Sequence, residues 1–310
     1  MINNNIDYKN EIRIGLTNLC NFNCTFCHNE GMYKKEETCI TIKPNDYKFI
    51  SETSQHYLGI NKFVLSGGEP LLRKDIIEIS KSIKNNKNEV VLITNGFLLK
   101  NYLELGDILD EIHVSLGTLN PKLQDKRTGT NDTLDNVLES IREISKRKCK
   151  LKINVVMLNN ENKTLDNLRS MLVFSKEIDC QLHLIEVYPE ETSYYMSFSQ
   201  IEKRLSSLGY RRKSRSGLKV RFQKESYPDV FITFIPCAFA SSPLMKNIKK
   251  FCKENQSIYI DNNLNIQPCF EKKEDKISIL DSVKDKNVEI LINKLNFART
   301  KIGEGCPLIK

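Results

Sequence analysis

From Ile12 to about residue 187, short apolar runs alternate with longer amphipathic stretches. Segments 62–66, 90–94, 112–116, 151–158 and 181–187 read as buried strands, preceded by a β-like stretch at 12–17. Between them, Ile76, Ile79 and Ile83 fall at helical spacing over 75–84, and Leu134, Val137, Leu138, Ile141 and Ile144 do so over 133–146. A third helix is expected over 165–176. Strands alternating with helices imply a parallel sheet with helical crossovers. Six such units predict an α/β fold, a partial (β/α)6 TIM-like barrel, whose chemistry gathers at the carboxyl ends of the strands.

After about residue 193 the rhythm changes. Residues 200–208 read as a short helix and 209–217 as a basic, turn-rich stretch. Segments 220–222 with 230–235, and 257–260 with 264–267, read as hairpins turned by Pro228-Asp229 and Asp261-Asn262-Asn263. The pattern predicts a barrel over residues 1–205 and a small α+β module over 206–310.

The 310 residues are 40% hydrophobic and 28% charged, as in a globular protein with a substantial core. There is no apolar run of about 18 residues to span a membrane, and Met1-Ile-Asn-Asn-Asn-Ile-Asp-Tyr8 lacks a basic start followed by an apolar stretch. A cytoplasmic location is expected. The net charge of +8 comes from scattered lysines and reads as a solvated surface. The basic clusters at 146–148 and 211–213 have no interleaved aromatics, so no nucleic-acid partner is expected.

Ten cysteines in a reducing compartment point to metal or redox use rather than disulfides. Cys20, Cys24 and Cys27 form a C-x3-C-x2-C run just after the first strand. Soft thiolates at one locus select an iron–sulfur cluster or zinc. Structural zinc wants four protein ligands, and His28, adjacent to Cys27, is poorly placed to be the fourth. Three thiolates on a four-iron cube instead leave one iron open. Further candidates follow the next strands: Ser66-Gly67-Gly68-Glu69-Pro70, Thr94-Asn95-Gly96 and Ser115-Leu116-Gly117. The glycines at 67 and 68 permit a close backbone approach to a ligand. Cys39, Cys149 and Cys180 read as ordinary small residues, and His56, His113 and His183 as scattered structural histidines.

The cysteine run, with Phe26 before its third member, and the Gly-Gly-Glu-Pro turn resemble the radical S-adenosylmethionine (SAM) superfamily. The resemblance implies a [4Fe-4S] cluster on Cys20, Cys24 and Cys27 whose open iron chelates SAM. It implies that Phe26, Gly67, Gly68, Glu69, Thr94, Asn95, Ser115 and Tyr188 bind that cofactor, with Glu69 holding its amino group. It further implies a flavodoxin- or ferredoxin-type electron donor and reductive SAM cleavage to a 5′-deoxyadenosyl radical. Within the superfamily the chain is most similar to the MoaA-type GTP cyclases of molybdenum-cofactor synthesis. Matching stretches include 20–31, 65–73, 93–96, 113–116, 151–156 and 182–189.

That family carries an auxiliary cluster in its C-terminal part. Here Cys252 and Cys269 keep the outer spacing, while Asn255 stands at the middle ligand position. With Cys237 and Cys306 they resemble a twitch-type module holding a second [4Fe-4S] cluster; Cys237 could alternatively be a thiol that donates a hydrogen atom. Arg13 and Lys152 align with substrate-contacting positions, and Arg73 is a further candidate for an anionic substrate. Expected arginines are replaced by Val64, Ser257 and Tyr259, a threonine by Ile93, and the paired C-terminal glycines are missing. A nucleotide-type small molecule other than GTP is therefore expected. The alternatives are a peptide, as in twitch-module maturases, and a non-enzymatic iron–sulfur redox or sensing protein.

Overall fold

The computed structural model describes residues 10–27, 41–159, 164–186, 195–216, 219–233, 257–268 and 276–301. The barrel elements run β1 Glu11–Gly15, α1 Pro44–Leu58, β2 Lys62–Ser66, α2 Ile76–Ile83, β3 Glu89–Thr94, α3 Leu105–Ile108 and β4 Glu111–Ser115. They continue with α4 Pro121–Thr128, α5 Leu134–Ile144, β5 Lys150–Met157, α6 Thr164–Glu177 and β6 Gln181–Glu186. Then come α7 Phe198–Ser207, β7 Arg211–Ser216, β8 Lys219–Gln223, β9 Val230–Thr233, β10 Ile258–Ile260, β11 Asn265–Gln267 and β12 Ile277–Ser278. Two helices close the described chain, α8 Leu280–Lys284 and α9 Val288–Lys301.

All the described strands join one sheet, ordered β12-β11-β10-β1-β2-β3-β4-β5-β6-β9-β8-β7. The six expected strands pair in parallel in sequence order. This is the expected α/β architecture, an open, partial TIM-like barrel. Later strands extend it at both edges: β10 pairs in parallel with β1, and β9 in parallel with β6. The hairpins β8–β9 and β10–β11 form as the turn residues predict.

Strand alternation splits the sheet into two faces. Ile12, Ile14, Phe63, Leu65, Val90, Leu92, Ile112, Val114, Ile153, Leu182 and Leu184 are fully buried in one core with residues of the surrounding helices. The opposite, inner face carries Arg13, Val64, His113, Lys152, Asn154 and His183.

Three departures from expectation have local causes. α1 opens on Pro44, with Asp46 Oδ2 accepting from the Lys43 N–H at 3.0 Å, and ends at Gly59 in the left-handed region, φ 63°. Its buried positions include Asp46, Ser51, Thr53 and Ser54, so it lacks an apolar stripe. α4 has the same kind of ends, Asn120 capping Leu123 and Gly129 at φ 60°, around an almost wholly polar body. β7 falls in the stretch expected to be turns: it is an outermost strand paired antiparallel with β8, where charged side chains are ordinary.

Candidate cofactor and substrate site

The three-cysteine loop leaves the carboxyl end of β1 between two supports. On one side lies the turn after β2. Gly68 N–H donates to Thr17 O at 2.7 Å, and Glu69 N–H donates to Leu19 O at 2.7 Å. A Cβ on Gly67, whose φ is 130°, would lie 2.5 Å from Thr17 O; one on Gly68 would lie 2.1 Å from Leu19 O. Both contacts are closer than any side chain tolerates. The backbone approach that the glycines permit is therefore, in this structure, to the chain's own cysteine loop.

On the other side stands α4. Asn23 N–H donates to Thr128 O at 2.7 Å and Thr25 N–H to Arg127 O at 3.1 Å. A Cβ on Gly129 would meet Asn23 O at 2.7 Å. Arg127 is 4% exposed and donates to Val156 O at 3.2 Å, at the carboxyl end of β5. Sequence reasoning missed this second support. Its signal was the Asn120-Pro121 start and the Gly129 stop, since α4 has no apolar periodicity.

Glu69 joins the loops. Its carboxylate is 1% exposed and accepts from Leu71 N–H at 3.0 Å, Thr94 Oγ1 at 2.7 Å and Asn95 N–H at 2.8 Å. Burial drives its carboxyl up to about 7, against the pull of those three donors. Asn95 Nδ2 reaches Asn21 Oδ1 at 2.7 Å and lies 4.0 Å from Cys20 Sγ. Thr94 and Asn95, expected to line the cofactor site, thus use these side-chain donors to join the β2, β3 and cysteine loops. Although Cys20 is exposed as a residue, desolvation of its sulfur raises the thiol, with the Phe22 amide pulling partly back.

Arg73 is corrected. Its guanidinium is clamped by Asp75 at 2.8 Å through both Nε and Nη2, and it donates to Leu16 O at 3.3 Å and Ile42 O at 2.9 Å. With its nitrogens taken by the fold, it is a brace between β1 and the segment before α1 rather than a substrate contact. Ser115 ends β4 exposed. Phe26 lies half-buried in the cysteine loop.

The inner face carries a second constellation. Glu111 Oε2 accepts from Lys152 Nζ at 2.7 Å and lies 2.9 Å from His113 Nε2. The His113 and His183 rings meet edge-on with centroids 5.9 Å apart, and His183 meets Phe231 at 5.4 Å. His113 and His183, which look scattered in sequence, therefore stand together, whereas His56 sits apart on α1 beside Tyr57. Asn154, 8% exposed, sits in register between Ser115 and His183, and its Oδ1 is buried with no hydrogen-bond partner. A lone asparagine within Leu-Lys-Ile-Asn-Val-Val was its only sequence signal.

Cys149 and Cys180 are buried, and burial pushes their thiols up to about 11 and about 12, as for inert core residues. Tyr188, Cys39, Cys237, Cys252, Cys269 and Cys306 lie outside the described residues. Two open clefts of about 480 and 500 Å³ lie at the amino ends of the strands, away from the cysteine loop.

The donor set fits a cluster. Three thiols share one loop, with Cys20 and Cys27 exposed and Cys24 half-buried. Among the described residues no three His, Cys, Asp or Glu side chains converge as a single ion would require. In a cluster each thiolate takes its own iron. Glu69 keeps acceptor capacity for one further donor, as the amino group of SAM would need.

No helix among the described residues is long and apolar enough to cross a membrane. Residues 14–171 match the model of the radical SAM superfamily. A probable GTP 3′,8-cyclase of Methanocaldococcus jannaschii is 31% identical over 90% of this chain and 91% of its own length. Its namesake from Sulfurisphaera tokodaii is 29% identical over 87% and 84%. Among solved structures, Streptococcus suis SuiB bound to precursor peptide SuiA superposes with a TM-score of 0.68 at 14% identity, covering 97% of this chain and 66% of that one. The chain is an enzyme of the radical SAM superfamily, built to hold a [4Fe-4S] cluster and SAM, and is related to the GTP 3′,8-cyclases.

Proposed function

We propose that this enzyme carries out a MoaA-like radical cyclisation or rearrangement of a nucleotide-type small molecule other than GTP. The supporting observation is the row of inner-face residues around Arg13. Its register partners are Val64 on β2 and Tyr259 on β10, an aliphatic and an aromatic residue where cations would suit a triphosphate. Ile93 lies on the same face, in register with His113.

Cys20, Cys24 and Cys27 hold the cluster in this reading. Glu69 orients the SAM amino group, and Ser115 with Asn154 meets its sugar or the substrate. Phe26 and Tyr188 complete the cofactor site. When bound, cluster and SAM supply a 5′-deoxyadenosyl radical that takes a hydrogen atom from the substrate. The chain's own contribution is to fix the substrate carbon on the inner face and to exclude water and oxygen.

A second [4Fe-4S] cluster, carried by residues 206–310 on Cys237, Cys252, Cys269 and Cys306, is part of the proposal. The β10–β11 hairpin supports it by bringing Ser257 and Pro268, which lead to Cys252 and Cys269, to one end of the sheet. A flavodoxin- or ferredoxin-type donor would reduce the enzyme.

Deuterated nucleotides and peptides, incubated anaerobically with enzyme, SAM and dithionite, test the reading. Deuterium should reach 5′-deoxyadenosine from a nucleotide other than GTP. Transfer from a peptide alone would overturn the reading in favour of a maturase.

A further inference from the structure

The inner face holds ion pairs that the cofactor chemistry does not use. Lys62 on β2 pairs with Glu89 on β3, and Lys152 on β5 pairs with Glu111 on β4. The second pair is the more enclosed, with side-chain exposures of 14% for Lys152 and 9% for Glu111. Lys152 stands two residues before Asn154, in the row directly beneath Ser115, Asn154, His183 and Phe231, and reaches toward the amino ends of the strands to Glu111, the first residue of β4. A ligand resting on that row therefore has Lys152 and His113 directly beneath it, and Glu111 one step lower.

An unpaired ammonium there would attract phosphate or carboxylate. Glu111 cancels it at 2.7 Å. Burial pushes the Glu111 carboxyl up, but hydrogen bonds from His113 and Lys152 outweigh this and hold it well below the usual carboxylate range, so it stays ionised. Burial lowers the His113 imidazole despite its bond to Glu111, so His113 adds no cation at neutral pH. The row above agrees. The unpartnered, buried Asn154 Oδ1 calls for an N–H or O–H donor, which a phosphate oxygen cannot supply, and Phe231 beside His183 offers an apolar wall.

We propose that Glu111 is a specificity-determining residue: by neutralising Lys152 it makes this part of the inner face take an uncharged, hydrogen-bond-donating portion of the substrate and reject a phosphate. This rests on the reading that the substrate binds the inner face and is not GTP. It goes further by assigning the rejection to one carboxylate.

The test measures binding of inorganic tripolyphosphate and of GTP to cluster- and SAM-loaded enzyme by anaerobic equilibrium dialysis. Glu111→Gln leaves Lys152 without its counter-charge and should bind tripolyphosphate at least about tenfold more tightly than wild type, the scale of one charge-assisted contact. Adding Lys152→Gln to that variant should erase the gain. Lys152→Gln alone should leave the weak wild-type binding unchanged. A folded Glu111→Gln protein with no gain would overturn the proposal. So would a tenfold loss in Lys152→Gln alone, because Lys152 would then already grip anions; this arm decides the matter if Glu111→Gln fails to fold. Conversion of GTP by wild type would refute the substrate reading, whereas the tripolyphosphate series judges Glu111 whatever the true substrate is.

Discussion

The two faces of the one sheet are built by opposite rules. Along β4 and β5, Ile112, Val114 and Ile153 are fully buried against helices, while Glu111, His113, Lys152 and Asn154, one position away, carry charge and hydrogen bonds. The outer face is selected by volume and transfer from water, so many apolar residues serve there. The inner face is selected by what it must hold. Its polar groups are costly to bury, and Asn154 Oδ1 is buried without a hydrogen-bond partner. Stability and function should therefore separate by strand parity, and substitutions can break or sharpen that separation.

The largest effect belongs to the loop at the sheet's carboxyl edge. Replacing Cys20, Cys24 and Cys27 together with alanine should abolish reductive SAM cleavage while leaving about half the iron if the second cluster is present, read by product chromatography and iron analysis. Next, Ile153→Ala on the outer face should cost about 2–5 kcal/mol in denaturant unfolding without changing SAM affinity in the protein that remains folded. Glu69→Gln should change the pH dependence of stability. A buried carboxyl raised from 4.5 to about 7 favours the folded state when protonated. Its contribution is fully present below about pH 4.5 and is lost as pH rises through about 7, by about 3 kcal/mol. Unfolding at pH 5 and pH 8 should show that loss in wild type and not in the variant. The smallest stability effect is Asn154→Ala, within about 1 kcal/mol of wild type because no bond is broken, yet it should weaken ligand binding. A stability loss there as large as that of Ile153→Ala would contradict the division between faces.

The sequence reveals these features unevenly. The six strands stand out because each is a short apolar run ending in a polar motif, and the cysteine spacing carries its own chemistry. α1 and α4 are obscure because burial there involves Asp46, Ser51, Thr53, Gln124 and Arg127, which mimic loop composition. Their boundary residues, Pro44 with Gly59 and Pro121 with Gly129, were the legible part. The Glu111–Lys152 pair could not be read locally, since it joins residues 41 apart through the β4–β5 register. The same holds for the clamp on Arg73: Asp75 is two residues away, but the carbonyls of Leu16 and Ile42 come from other segments.

The central claim is that this chain keeps the radical SAM machinery of the GTP cyclases on an inner face no longer shaped for GTP. The most direct measurement incubates reconstituted wild-type enzyme with SAM, dithionite and GTP without oxygen, and separates the products by chromatography and mass spectrometry. The account predicts 5′-deoxyadenosine formed without a GTP-derived product. A cyclised guanine nucleotide appearing in step with 5′-deoxyadenosine would contradict it.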